Sequence, residues 1–274
     1  MSAHTLPYAV NCSILFTELP LLERAAAAKA AGFDAVEFWW PFADPVPGDD
    51  EVELFVRSVQ DAGTRLVALN FYGGHSGEPG ILSIPGRARE FRDNIPAAVE
   101  IGARLGAVGF NALYGARLQG DLAKEQHDLA TESLVLAARA AGEIGACVLV
   151  EPLSASRGTP LLTAADAAAV VGRVREAGGP AIGILCDLYH LGVNGDDIDA
   201  AIDRYTPVIA HVQIADHPGR GEPGTGKLDL DRYLAALQGQ GYSGWVSLEY
   251  QPTTSTLGSL AWLPPERRRS SRQD

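Results

Sequence analysis

The chain has 274 residues, 46% of them apolar and 20% charged, which supplies ample core material and excludes a disordered chain. Its 22 Lys and Arg stand against 34 Asp and Glu, a net charge of −12 that repels polyanions and argues against nucleic acid or an acidic membrane surface as a partner. An anionic substrate would therefore need local positive charge, from a metal or a few arginines.

The opening MSAHTLPYAVNCSILF lacks the basic flank and long apolar core of a signal peptide, and no apolar run approaches the roughly eighteen residues of a membrane span. A cytoplasmic protein with no membrane segment is expected. A first strand is predicted from Tyr8 to Cys12. A phrase then recurs: an Ala- and Leu-rich helix, a glycine, and a short β-branched run. Predicted helices over 19–31, 50–62, 86–105, 124–144 and 163–177 end at Gly32, Gly63, Gly106, Gly145 and Gly178, and each glycine feeds one strand. The helix over 196–204 feeds PVIAHVQIAD without a glycine, and the one over 229–239 ends before Gly241 and GWVSLEY. Glycine just past a helix takes the left-handed conformation at no steric cost, and a buried parallel strand reads as a near-continuous apolar run.

Eight strands alternating with helices predict an α/β fold, a closed (β/α)8 TIM barrel in a single domain over residues 1–263. An open doubly wound sheet is the alternative, but NCSILFTELP after the first strand has no dinucleotide-binding glycine fingerprint. The stretch GGHSGEPGILSIPGR after the third strand is long enough to be a lid or binding loop. TSTLGSLAWL leaves room for only a shortened last helix, and residues 264–274, with RRRSSR, read as a solvated, disordered basic tail. The three cysteines, Cys12, Cys147 and Cys186, lie far apart in apolar text and read as buried thiols.

In such a barrel the chemistry sits where the strands run out at their C-terminal ends. Those ends read Asn11, Glu37, Asn70, Asn111, Glu151, Asp187, Gln213 and Glu249. One acidic strand end more often caps a helix or pairs with an arginine. Three acids and a glutamine on four consecutive strands instead demand a counter-charge, because buried carboxylates are costly unless paired or metal-bound. The all-oxygen set Glu151, Asp187, Gln213 and Glu249 suits Mg²⁺ or Mn²⁺. Glu37, Asn70 and Asn111, on the other half of the ring, would orient substrate hydroxyls or satisfy loop backbone.

His190, in CDLYH, can reach the mouth, His75 in the long loop is a second candidate, and His211 reads as support one layer deeper. ADHPGRGEPGTGK would hold Arg220 over the site, for a bidentate pair with a substrate carboxylate or else a rim ion pair with Glu222. Trp39, Trp40, Phe42 and Tyr72 would form apolar walls or else pack as filler between helices.

The text resembles the hydroxypyruvate isomerases of the xylose isomerase-like TIM barrels, through LNFYGG, NALYG, LVEPL, CDLYH, HVQIAD, GRGEPGTG and SLEY. It departs from that pattern at GGHSGEPGI, where relatives carry an acidic residue and an AGERG-like stretch. The resemblance implies a divalent metal on Glu151, Asp187, Gln213 and Glu249, with Glu151 and Glu249 as the acid/base pair and His190 and Arg220 on the substrate. It also implies a small hydroxy-oxo acid as partner and allows a homo-oligomer. A metal-polarised α-hydroxycarbonyl and two flanking carboxylates suit proton transfer through a cis-enediolate, here hydroxypyruvate to tartronate semialdehyde. Isomerisation of 2-oxo-tetronate or 3-epimerisation of a ketose would use the same groups. A phosphodiesterase like endonuclease IV would want more histidines at strand ends and a basic groove, and a non-catalytic sugar-binding barrel would bind without turnover.

Overall fold

In the computed structural model, which describes residues 4–154 and 158–269, eight parallel strands close into a barrel in chain order. They are β1 (Tyr8–Asn11), β2 (Ala35–Phe38), β3 (Arg65–Asn70), β4 (Gly109–Asn111), β5 (Cys147–Val150), β6 (Ile182–Asp187), β7 (Ile209–Ile214) and β8 (Val246–Leu248). Closure comes from β1 pairing with β8, Tyr8 opposite Val246 and Val10 opposite Leu248. The main helices between strands are α1 (Arg24–Ala30), α2 (Asp49–Asp61), α3 (Ala88–Leu105), α4 (Asp121–Glu143), α5 (Ala164–Glu176), α6 (Leu188–Asn194), α7 (Ile198–Tyr205) and α8 (Leu230–Gly239). The expected (β/α)8 barrel is therefore the observed one.

Successive strand residues face opposite ways, and the two sets pack differently. Val10, Val36, Leu66, Phe110, Val148, Ile184, Val212 and Leu248 join the large cluster beneath the helices. Small clusters of Ala9, Ala35, Val67 and Trp245, and of Ala68, Leu149 and Leu185, complete the apolar packing. The polar residues take over at the C-terminal ends, so the polar mouth rests on a packed floor.

α6 was not among the expected helices. It starts directly at the end of β6, where the Asp187 side chain accepts from Tyr189 N, and stops at Gly195 with φ 71°. Its seven residues are too short to show a helical repeat in the sequence.

The last helix is short, as expected, but the basic tail does not begin at residue 264. After α9 (Thr256–Ser259) the chain forms α10 (Pro265–Arg268). Arg268 donates to the carbonyls of Ala31, Leu260 and Leu263, and Arg267 donates to that of His4. Several donors on one planar guanidinium let each arginine satisfy backbone groups that apolar side chains leave open. Residues 270–274 lie outside the described residues. Among the described residues, no helix is long and apolar enough to cross a membrane.

Candidate active site

Glu151 follows β5, Asp187 ends β6, Gln213 lies in β7 and Glu249 follows β8, so consecutive strands deliver them to one mouth. All four are buried. Oxygens of Glu151, Asp187 and Glu249 and a ring nitrogen of His190 lie within 4.8 Å of one another. Gln213 Nε2 donates to Glu249 Oε1 at 3.1 Å. Asp187 Oδ2 and Gln213 Oε1 are buried without a hydrogen-bond partner among the described residues.

Three carboxyl groups packed this closely disfavour their own ionisation. Burial, then the charges of Glu249 and Asp187, hold Glu151 well above the usual carboxylate range. Asp187 is pushed up to about 7 by burial and by Glu249. Burial also raises Glu249, against the lowering pull of Arg220. A divalent cation would resolve the conflict, and the two buried oxygens without a protein partner fit that demand. The cluster is a candidate metal centre.

His190 is set by Ser154. Ser154 N donates to His190 Nδ1 at 3.1 Å, and Ser154 Oγ stands 2.6 Å from the same nitrogen. Because a backbone N–H can only donate, the neutral ring carries its proton on Nε2. That atom faces Asp187 Oδ2 at 3.6 Å and Glu151 Oε1 at 3.8 Å. Nothing in the sequence pairs Ser154 with a histidine 36 positions away.

Arg220 turns inward. Its Nη2 donates to Glu249 Oε2 at 2.5 Å, its guanidinium lies 5.3 Å from the Tyr189 ring centroid, and its Nε is buried without a partner among the described residues. The residue sits at φ 61°, an unusual backbone for a long side chain. Asp216 ties down this loop by accepting from His217 N, Gly224 N and Leu228 N. The alternative pairing with Glu222 does not form, because Glu222 accepts from Thr253 N and Oγ1 at 3.0 and 2.6 Å.

A cavity of about 460 Å³ opens above the cluster, lined by Trp39, Trp40, Phe42, Asn70, His75 and Leu153 among others, with Glu151, His190, Arg220 and Glu249. Asn70 and His75 both line this cavity. Glu37 and Asn111 do not line it. Asn111 Nδ2 instead donates to Glu151 Oε2 at 2.7 Å and orients that carboxylate. Glu37 is 1% exposed and occupied below the mouth by His211 Nε2 at 2.7 Å, Asn11 Nδ2 at 3.0 Å and Gln213 Nε2. It precedes the last residue of β2 rather than following the strand, which keeps it inside the barrel. Burial works against its charge, but His211 and the Gln213 amide hold its carboxyl below the usual range. His211 is a supporting group, as expected.

Trp39 and Asn11 make contacts at the site that their sequence positions do not announce. Trp39 does more than form a wall: its Nε1 donates to Glu249 Oε1 at 2.8 Å. Asn11 Nδ2 donates to both Glu37 and Glu249 at 3.0 Å. Of the two readings of Tyr72, wall or filler, it takes the second and is buried in the main core.

The sequence pattern of the xylose isomerase-like TIM barrels matches residues 25–266. Over 263 residues the chain is 52% identical to a Streptomyces coelicolor protein named "Putative hydroxypyruvate isomerase", covering 93% of this chain and 94% of that one. It is 31% identical over 264 residues to the hydroxypyruvate isomerase of Escherichia coli, covering 96% and 100% of the two chains. The chain belongs to the hydroxypyruvate isomerase family of xylose isomerase-like TIM barrels. The 2-oxo-tetronate isomerase of Cupriavidus necator is also similar, 32% identical over 265 residues, with 94% and 97% covered. The resemblance carried by HVQIAD, GEPGTG and SLEY therefore holds for nearly the whole chain.

Proposed function

We propose that the barrel interconverts hydroxypyruvate and tartronate semialdehyde (2-hydroxy-3-oxopropanoate) by moving a proton between C3 and C2. The supporting observation is the meeting of two buried glutamates, Asp187 and His190 within 4.8 Å at the floor of a cavity that also presents Arg220. Glu151, Asp187, Gln213 through Oε1, and Glu249 would hold Mg²⁺ or Mn²⁺. When bound, such an ion supplies Lewis acidity that favours the enediolate over the starting ketone.

The chain's own groups do the rest. One of Glu151 and Glu249 takes a proton from C3, leaving a cis-enediolate, and the other delivers a proton to C2. The C3 hydroxyl loses its proton as it becomes the aldehyde, and the C2 oxygen gains one. His190, whose Nε2 proton faces the cluster, is placed to exchange it with a substrate oxygen. Arg220 binds the carboxylate, and its unpartnered Nε is an available donor beside the Glu249 contact. A small hydroxy-oxo acid as partner and a cytoplasmic setting agree with this chemistry.

Turnover in D₂O tests the proposal. Proton NMR should show solvent deuterium at C2 of tartronate semialdehyde, whereas a product free of solvent deuterium would point to an internal hydride shift and contradict it. Arg220→Ala is expected to weaken binding of hydroxypyruvate by about 10- to 100-fold, the range for a lost charge-assisted hydrogen bond. Binding of neutral dihydroxyacetone should change far less, and equal losses in inhibition constants would remove the argument for an acid substrate. A four-carbon 2-oxo acid is a second reading, favoured by the similarity to a 2-oxo-tetronate isomerase and by a cavity of about 460 Å³. Comparing kcat/KM for the two acids decides between them.

A further inference from the structure

Beneath the cluster, Glu37 is 1% exposed and its carboxylate meets three donors from two other strands, β1 and β7. Oε2 faces His211 Nε2 at 2.7 Å, while Oε1 accepts from Asn11 Nδ2 at 3.0 Å and from Gln213 Nε2. The orientation of Asn11 is unambiguous, because its Oδ1 accepts from Ser13 N at 2.9 Å and a backbone N–H can only donate. Its amide nitrogen therefore has to face Glu37 and Glu249.

The same reasoning applies to Gln213. Its amide is flanked by Glu37 Oε1 on one side and by Glu249 Oε1 at 3.1 Å on the other, both carboxylate oxygens. Turning the amide over would set its carbonyl against two acceptors and leave its buried NH₂ group without either bond. The observed orientation leaves Gln213 Oε1 as the atom with no protein partner. Of the two anchors, Glu249 also belongs to the reacting cluster and must be able to rearrange. Glu37 lies outside that cluster and is held by Asn11 and His211 besides the Gln213 amide.

We infer that Glu37 is a positioning residue, which locks the Gln213 amide with Oε1 presented as a neutral ligand to the metal centre. It acts on the cation through Gln213 and does not touch substrate. This rests on the reading of Gln213 as a metal ligand under the proposed function. Support of this kind beneath a ligand is worth about 10- to 100-fold in metal affinity.

Calorimetric titration with Mn²⁺ of the wild type, Glu37→Met, Gln213→Ala and the double variant tests the inference, since methionine keeps the volume and removes the acceptor. Glu37→Met should weaken Mn²⁺ binding by about 10- to 100-fold. The double variant should bind about as weakly as Gln213→Ala alone, because with the ligand gone there is nothing left to position. Unchanged affinity in Glu37→Met, or losses that multiply in the double variant, would overturn the role. If the wild type binds no Mn²⁺, the metal reading itself fails and the inference with it. Should Glu37→Met not fold, NMR of the wild-type Gln213 side-chain amide with Mg²⁺ replaces it. Both amide protons should stay protected from solvent exchange when Mg²⁺ is added, and free exchange would overturn the inference.

Discussion

Glu151→Gln and Glu249→Gln should each lower kcat for hydroxypyruvate isomerisation by about 10²- to 10⁴-fold, the range for removing a positioned acid or base. Glutamine keeps the size of the side chain but cannot accept the C3 proton or return one to C2. The two variants should differ in stability. Glu151 is crowded by Glu249 and Asp187, with one firm donor in Asn111, so neutralising it relieves repulsion in the metal-free protein. Glu249 accepts from Asn11, Trp39, Gln213 and Arg220, and an amide at that position turns a donor toward at least one of these donors. Glu151→Gln should therefore melt at or above the wild-type temperature without metal, and Glu249→Gln below it. Circular dichroism melts and initial rates check both statements. Wild-type turnover in either variant would contradict the assigned roles.

Metal removal is the second large effect. Chelation should abolish turnover and lower the melting temperature by several degrees, because a ligand that binds only the folded state stabilises it by mass action. The loss should depend on pH. Asp187 has a folded value of about 7, raised from 3.8 by burial and by Glu249. A raised value means that its contribution to stability is fully present below about pH 4 and is lost as pH rises through about 7. Glu151 is shifted in the same direction by burial and its two acidic neighbours. Surface carboxylates such as Glu53 and Asp199 are shifted down by hydrogen bonds from arginines and run the opposite way. The comparison that isolates the site is therefore wild type against Asp187→Asn. Without metal, the wild type should lose stability relative to the variant between about pH 4 and pH 7, and Mn²⁺ at pH 7.5 should reverse the order. A difference that does not change with pH or metal would show that the cluster carries no uncompensated charge.

The barrel was legible because its signals are local. Most helices end near a glycine, each strand is a short apolar run, and the residue at or near the end of each run marks the mouth. Glu151, Asp187, Gln213 and Glu249 were readable for that reason. What the sequence hides is cross-strand pairing. Ser154 and His190 are separated by 36 positions, Trp39 and Glu249 by 210, and Asn11 and Glu249 by 238, so no spacing rule links them. Glu37 was misplaced as a substrate contact for a related reason: a polar residue near the end of a strand can stand at the mouth or one layer below. The register of β2 shifts between Val36 and Glu37, and the sequence carries no mark of that shift. The basic tail was misread at Arg267 and Arg268 because a run of arginines looks solvated until the carbonyls they bind are known.

On the proposed function, Glu151, Asp187, Gln213 and Glu249 converge on one divalent cation at the mouth of the barrel. Anomalous diffraction from crystals grown with Mn²⁺ tests it most directly. A single strong peak per chain is expected among Glu151, Asp187, Glu249 and Gln213 Oε1, absent in Asp187→Asn crystals. A peak elsewhere, or an empty cluster at saturating Mn²⁺ with Arg220 still paired to Glu249, would contradict it.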